Sequence, residues 1–577
     1  MEPDSVLTKN TTMDMANKRV VIISGSRGIG YGFVEYYLEK GAYVITSCRN
    51  LDAGNSVQLK TLYEKYKKSG QLKIINEIDI TDANKRKIFA SNIKNNIDLL
   101  ILSAGIKGYS TPGMKPHEHT TEEMNQAFKV NTLAHTDLIN LLSDKLLEDS
   151  AVVVTSSGVS SILDNGSGGY HPYRVSKVMI NRIFAYWRNY FDRKAGMIHR
   201  PRLITIAPGW VKTDMGGNDA RLSVKESVTA MAEKINLIIK KQCDDNRLIL
   251  YNGDSVEAYK NTFELNNQLV NSSINSVNGL FKKIDTKEEK AVDGTGKVVV
   301  FINLLNDMQD YHYKMIEQYL KNNFKVLTHC MNAFEENETL KKLHSDYSER
   351  LIYVEKINLI CDSDRQAFIN IINKSHYIDN IDYLIFNTLE KDQFTACDLS
   401  LSDPMTVDID ALSQAFNRYI IVPDDIIRQL FNFKHLSQNT AVVYMNSILS
   451  SVKAYRSDYG NYTKISVQTA ANMMIYNWLH EFLSSQSELD NIDVIKNIPI
   501  AFAICPDANT NGASEIEAQI INQVIKTIEK MKNTKNVNGL LDAQGKLIET
   551  YKMPQALSTL LQQLSHDNQK SYAQPRL

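Results

Sequence analysis

The chain has 577 residues, 43% of them hydrophobic, which is too much for one ordinary domain and enough for two sizeable cores. Its 65 basic and 66 acidic residues leave a net charge of −1, so nothing in the balance favours nucleic acid or an anionic membrane as partner. The six cysteines (Cys48, Cys243, Cys330, Cys361, Cys397, Cys505) are scattered without a Cys-x-x-Cys pair, which indicates neither a zinc site nor a disulfide framework and suits a reducing cytoplasm.

Residues 1–17 form a polar tail without an apolar centre, and no apolar run approaches the roughly 20 residues of a membrane span. The expectation is a soluble, cytoplasmic protein without a membrane partner. In chain order, the first half alternates strands (20–23, 43–47, 72–78, 99–102, 152–155, 203–207) with helices (31–40, near 57–67, near 84–93, a long one over 122–147, and 173–191). This is a doubly wound α/β pattern, in which right-handed crossovers put a ligand at the carboxyl ends of the strands. The distinctive polar residues fall at those ends.

The first strand runs into Ser24-Gly25-Ser26-Arg27-Gly28-Ile29-Gly30, which opens a helix. Such a turn reads as a dinucleotide cradle: Gly25 allows the tight turn, Gly28 lets the backbone approach a pyrophosphate, and Gly30 lets the helix pack closely on the strand. Further on come Asp79-Ile80, Ser103-Ala104-Gly105-Ile106, Asn131, Ser156-Ser157-Gly158, Tyr173-Arg174-Val175-Ser176-Lys177 and Pro208-Gly209-Trp210-Val211-Lys212-Thr213-Asp214. With these motifs residues 18–259 resemble the short-chain dehydrogenase/reductase family, and within it the carbonyl-reductase-like branch that includes the bacterial C-factor proteins. Ser103 departs from the asparagine usual in the family.

The resemblance implies a catalytic set of Asn131, Ser157, Tyr173 and Lys177, with Ser156 as the alternative serine. Tyr173 and Lys177 are four residues apart and share one face of a helix. A free phenol has a pKa of about 10, and a nearby ammonium with a positively charged nicotinamide would lower it, making Tyr173 the general acid for carbonyl reduction or the base in reverse. By family analogy Lys177 also bonds the nicotinamide ribose, Ser157 holds the carbonyl oxygen, and Asn131 fixes a water. The implied cofactor contacts are Gly25, Ser26, Arg27, Gly28, Ile29, Gly30, Arg49, Asp79, Ile80, Ser103, Ala104, Gly105, Tyr173, Lys177, Pro208, Gly209, Val211 and Thr213. After the second strand, Thr46-Ser47-Cys48-Arg49-Asn50 carries no acid, and Arg27 lies inside the glycine turn; both point to NADP(H), unless Arg49 merely faces solvent. His117 and His119 form a His-x-His pair with no third ligand in view, so both are expected in solvent and no metal is expected.

Residues 261–296 are rich in Asn, Ser, Lys and Glu and read as a linker, with a random-coil span of roughly 30 Å and a reach of over 100 Å when extended. Residues 297–555 repeat the first half in degraded form, and 556–577 form a C-terminal tail. Gln414-Ala415-Phe416 echoes Gln126-Ala127-Phe128, and Asn472, Trp478 and Phe482 match Asn181, Trp187 and Phe191 at one offset. No glycine occurs between Lys297 and Tyr459, so the loop at 305–310 cannot repeat the cradle. The same register puts Lys464 at the place of Tyr173 and Gln468 at that of Lys177, and Tyr419 replaces Asn131; a small gap would instead pair Tyr462 with Tyr173. Ser447 persists. The expectation is two tandem Rossmann-like domains: an NADP(H)-dependent carbonyl reductase or alcohol dehydrogenase of 18–260, and a catalytically silent copy that acts as its intramolecular dimer partner, with further homo-oligomers open. Rival readings are a non-catalytic nucleotide sensor or scaffold, and an NAD-linked alcohol dehydrogenase. Residues 107–121 and 213–224 would shape the substrate pocket.

Overall fold

The structure is a computed structural model that describes residues 15–108, 115–161, 169–193, 201–240, 248–254, 292–305, 308, 310–331, 337–375, 378, 380–388, 407–445, 462–484, 500–505, 539–542 and 547–550. The expected linker up to residue 291 and both tails, apart from residues 15–17, lie outside this set, as do the side chains of Lys464, Phe191 and Phe482.

In the first half β1 (Arg19–Ile23), β2 (Tyr43–Ser47), β3 (Leu72–Ile75), β4 (Ile97–Leu102), β5 (Leu146–Thr155), β6 (Arg202–Ala207) and β7 (Leu248–Leu250) alternate with helices. These are α1 (Gly28–Glu39), α2 (Val57–Tyr66), α3 (Ala83–Ser91), α4 (Thr121–Phe128), α5 (Ala134–Leu142), α6 (His171–Arg193) and α7 (Val224–Ile239). The strands pair in parallel in the order β3-β2-β1-β4-β5-β6-β7. Helices cover both faces, which is why Val20, Val21, Ile22 and Ile23 are all buried where a half-exposed strand would alternate. The strand order reverses between β1 and β4, and that crevice is where such sheets bind ligands.

The helix expected over 122–147 is a broken element. It consists of α4, a π turn at Lys129–Leu133 and α5, which ends at Leu142; after a 3₁₀ turn, residue 146 already belongs to β5. The π turn projects Asn131 sideways to bond the Ile106 backbone, and such bulges recur where a side chain is recruited for a site.

The second half contains β8 (Val298–Asn303), β9 (Lys325–His329), β10 (Leu351–Val354), β11 (Ile381–Asn387), β12 (Leu436–Met445), β13 (Ile500–Cys505), β14 (Gly539–Asp542) and β15 (Leu547–Thr550). Its helices are α8 (Asp310–Lys321), α9 (Glu338–Asp346), α10 (Asp362–Lys374), α11 (Ile409–Phe416), α12 (Val422–Asn432) and α13 (Tyr462–Ser484). Among the described residues the sheet order is β10-β9-β8-β11-β12-β13-β14-β15, the first half's order with an antiparallel strand added at the edge.

The likeness extends to side chains. Asp98 accepts from the Arg19 N–H at the foot of β1, and Asp382 from the Val298 N–H at the foot of β8. Buried Arg86 binds Asp137 at 2.5 Å and the Ile80 carbonyl, as buried Arg365 binds Asp425 at 2.6 Å and the Leu359 carbonyl. A second π turn, Asn417–Ile421, places Tyr419 at the position of Asn131. The helices α6 and α13 are each 23 residues long.

The two halves pack through these matching elements. Helix α6 lies along α13, and the rings of Phe128 and Phe416, last residues of α4 and α11, stack with centroids 3.9 Å apart and planes 5° off parallel. Asn140 clasps the Val407 backbone in both directions, at 2.7 and 3.0 Å. One contiguous apolar cluster runs across the junction, from Phe128, Val175 and Ile183 to Phe416, Ile420 and Met474.

Candidate active site

The glycine turn joins β1 to α1, and its glycines take other roles than those expected. The left-handed positions are Ser24 (φ 65°) and Gly28 (φ 56°), not Gly25. Gly25 is needed for closeness: a Cβ there would fall 2.2 Å from Thr46 Oγ1, and one at Gly30 would fall 2.1 Å from the Ser24 carbonyl oxygen. Helices α4 and α7 begin with capping boxes, Thr120/Glu123 and Ser223/Glu226. Helix α1 has no side-chain cap. Its first N–H groups, with the positive end of the helix dipole, therefore face the turn and suit an anion. Ser103, where the family has asparagine, acts as a strut: its hydroxyl donates to the Ile23 carbonyl at 2.7 Å and ties β4 to β1 beneath the turn.

Asn131, Ser157, Tyr173 and Lys177 converge at the carboxyl ends of β4 and β5. Asn131 accepts from the Ile106 N–H at 2.8 Å and donates to the Ile106 carbonyl at 2.8 Å and to Ser176 Oγ at 2.9 Å. Lys177 is buried, and its Nζ donates to the Thr155 carbonyl at 2.7 Å and lies 5.9 Å from the centre of the Tyr173 ring. A side chain at Gly105 would come within 3.5 Å of Asn131 Oδ1, 3.7 Å of Lys177 Nζ and 3.9 Å of Met215 Cε. Ser156 and Ser157 are told apart by direction. The Ser156 hydroxyl is buried and donates to Asn181 Oδ1 at 2.6 Å, whereas that of Ser157 is hydrogen-bonded to the Tyr173 phenol. Ser156 is thus structural.

Burial raises the Tyr173 phenol above the ordinary value, and the Ser157 hydrogen bond offsets part of the rise. Burial also pulls the Lys177 ammonium down, to about 7. His135, one helical turn after Asn131, was not singled out from the sequence. It is fully buried, its Nε2–H donates to the Ala104 carbonyl at 2.9 Å, and burial followed by the Lys177 charge lowers it to about 3. It is therefore a neutral strut under the Ala104-Gly105 loop.

The Lys177 shift has a measurable consequence. Between pH 7 and the free amine's value the unfolded chain holds a proton that the folded chain has released, so stability of the ligand-free protein should rise with pH in that window, by at most about 1.4 kcal/mol per unit. Urea midpoints at pH 7, 8 and 9 should climb in the wild type and stay flatter in Lys177→Met. Equal slopes would show that the ammonium keeps its ordinary affinity for protons.

At the outer end of the crevice Arg27 is half exposed and pairs with Asp214 at 2.6 Å, tying the glycine turn to the loop after β6. Exposed Arg49 follows β2, and its charge acts on Asp79, whose carboxylate accepts from the Thr81 N–H and hydroxyl. Ile80 is buried, its carbonyl held by Arg86. The Pro208 carbonyl is held by Ser227, Val211 bridges to Leu222, and Thr213 Oγ1 accepts from the Gly216 N–H, folding the loop over the crevice. Thr213 also lies against Gly28, and Met215 from the same loop reaches Gly105.

The corresponding region of the second half is filled by its own side chains. Asn303, His312 and Asn387 are buried together at the ends of β8 and β11, with Asn387 bonding both of the others. Gln468 occupies the place of Lys177 and its Nε2 lies 3.4 Å from Thr388 Oγ1. Because α6 and α13 start at His171 and Tyr462, an ungapped match pairs Tyr462 with His171 and Lys464 with Tyr173. Ser447 and part of the 305–310 loop lie outside the described residues.

The expectation that His117 and His119 face solvent is overturned. His119 is 1% exposed, and its Nε2 lies 2.7 Å from Asp424 Oδ2 of the second half. His171, the first residue of α6, places its own Nε2 2.8 Å from Asp424 Oδ1. His117 is partly buried, with Nδ1 2.8 Å from Glu481. Burial opposes ionisation of Asp424, but the two imidazoles carry its carboxyl well below the usual range. The polar loop looked exposed because its cover comes from residues about 300 positions away.

Residues 18–221 match the family described as short chain dehydrogenase. The C-signal protein of Myxococcus xanthus is 29% identical over 154 residues, 26% of this chain and 87% of that protein. A WW domain-containing oxidoreductase of Gallus gallus is 30% identical over 149 residues, 25% of this chain and 34% of that protein. A carbonyl reductase from Pseudomonas aeruginosa, solved in complex with NADP, is 27% identical, with 42% of this chain and 99% of that one covered and a TM-score of 0.36. The chain therefore spans about a third of one curated relative and most of another.

Proposed function

Residues 18–221 belong to the short-chain dehydrogenase/reductase family, and from that premise we propose that the first half is an NADPH-dependent reductase of carbonyl compounds, with the second half its catalytically silent, built-in partner. The observation that carries the reading is the convergence of Ser157, Tyr173, Lys177 and Asn131 beside the glycine turn at the sheet's switch point. The dinucleotide fits the residues present: Gly25, Gly28 and Gly30 leave three positions of the turn without a side chain, and the uncapped start of α1 offers N–H groups to a pyrophosphate. Gly25 to Gly30, Asp79, Ile80, Ser103 to Gly105, Pro208, Gly209, Val211 and Thr213 would hold it, with Arg27 and Arg49 at its adenosine end.

NADPH, when bound, supplies the hydride. Tyr173 donates a proton to the carbonyl oxygen of the substrate, and Ser157, already bonded to the phenol, orients that oxygen. Lys177 supports the phenol, and Asn131 holds the Ile106 loop that walls the pocket. Met215 and the 107–121 segment, of which residues 109–114 lie outside the described set, would select among substrates. Among the described residues no helix is long and apolar enough to cross a membrane.

The test is turnover of a panel of small aldehydes and ketones by the full chain with NADPH, compared with NADH. A 2′-phosphate needs cations, so changing Arg27 and Arg49 together to alanine should weaken NADPH by about tenfold or more per arginine and leave NADH little changed, charge-assisted contacts being roughly twice as strong as neutral ones. Arg27 would exchange Asp214 for the phosphate. Equal losses for both cofactors would remove the assignment, and binding without turnover of any carbonyl would favour a nucleotide sensor.

A further inference from the structure

We propose that His119, His171 and Asp424 bind one divalent metal ion of the zinc class, which clamps the two halves of the chain together. The three come from separate places: the loop before α4, the first residue of α6 and the first turn of α12. One ligand atom from each lies within 4.8 Å of the others, and all three side chains are at most 3% exposed. Two imidazoles and a carboxylate are a donor set that zinc accepts readily, with bonds of about 2.0–2.2 Å. Such bonds put ligand atoms a little over 3 Å apart in a tetrahedral site, roughly half an ångström beyond the 2.7 and 2.8 Å N–O separations here, a change that side-chain rotation supplies.

The surroundings are those of an oriented ligand set. Trp478 Nε1 donates to Asp424 Oδ1 at 2.8 Å, and the Asn477 amide lies 2.9 Å from His171 Nδ1. With the amide turned so that its oxygen accepts the Nδ1–H, both His171 and Asp424 have the outer partner that metal ligands characteristically carry. His119 Nδ1 is buried without a hydrogen-bond partner, so that ring is anchored only through Nε2, the atom that would ligate.

Charge points the same way. The buried Asp424 carboxylate is bonded by two imidazoles and an indole, none of them a permanent cation. A buried anion needs a positive partner, and a divalent ion provides one while using both imidazoles as neutral ligands.

The cluster is also unexplained by the pseudo-symmetry of the fold. At the constant offset of 288 residues that relates α4 to α11, Asp424 corresponds to Thr136 and His119 to Val407. Trp187, the counterpart of Trp478, has its buried Nε1 without a partner. The donor set therefore has no counterpart at the pseudo-symmetric position, and the clamp exists once among the described residues.

The full-length protein, produced in zinc-supplemented medium and purified without a metal-affinity step, should carry one metal per chain by plasma mass spectrometry. Dialysis against 1,10-phenanthroline should lower its thermal midpoint, and zinc chloride alone should restore it. Cobalt loading should give the visible absorption of a four-coordinate site. His119→Gln and Asp424→Asn, which keep volume and polarity, should lose the metal. A wild type with no stoichiometric metal and no thermal response to zinc would overturn the proposal and leave a purely hydrogen-bonded junction. Undiminished loading in both variants would overturn it too. Should the variants fail to fold, the wild-type metal content and the chelator response decide alone.

Discussion

Tyr173→Phe in the full chain is expected to lower kcat for carbonyl reduction by about a hundredfold to ten-thousandfold, the range that a positioned general acid supplies, while NADPH binds nearly as before. The substitution removes one hydroxyl, bonded to Ser157, and leaves the ring beside Lys177 and the glycine turn untouched. A fall in kcat and kcat/KM together, with KM for NADPH unchanged, is the signature of an interaction made only in the transition state. Fluorescence titration with NADPH and steady-state rates on the same preparation provide both readings. Substantial remaining turnover would show that another group donates the proton. Lys177→Ala should damage binding and turnover alike if, as proposed, its ammonium serves both ribose and phenol.

The second large effect concerns the junction. Residues 1–260 expressed alone should self-associate or lose most of their stability, because α4 and α6 would expose Phe128 and the apolar cluster that α11 and α13 now cover. Large exposed apolar faces seek a partner, and an identical copy is the obvious one. The fragment would also strand His119 and His171, whose polar contacts lie in the second half. Within the full chain, Phe416→Ala removes the ring stacked on Phe128 and should cost about 3–5 kcal/mol, as truncation of a buried phenylalanine usually does. Light scattering and denaturation curves measure both. A fragment that is monomeric, stable and fully active would refute the role given to the second half, as would two equivalent NADPH sites per chain.

Much of the fold was legible in the chain itself. Buried parallel strands are short apolar runs, so most strands of the first half are readable within two residues. The repeat is readable because a helix that packs on both a sheet and another helix keeps its large residues in step, as Trp187 and Trp478 do. The break at Asn131 was not readable: π and α turns use similar residues, and the same bulge recurs in the second half with Tyr419 in the place of the asparagine, so no one residue type announces it. Nor could the glycine roles be assigned from the motif, since Gly25 answers to Thr46 and Val34, which approach from β2 and α1.

By itself the sequence determined the doubly wound class, the chain order of strands and helices in the first half, the polar residues expected at the carboxyl ends of the strands and the absence of glycine from the second half's first loop; the order of the strands in the sheet came from the tertiary structure. These rest on local chemistry and spacing: period, turn residues, and side chains one helical turn apart. Tertiary structure alone decided which of Ser156 and Ser157 faces Tyr173, that His135 supports the Ala104 loop, and that Met215 comes up to Gly105. It alone turned a polar His-x-His into half of a buried cluster completed by Asp424. A side chain's burial and charge depend on what the fold lays over it, and for His119 that cover lies some 300 residues along the chain.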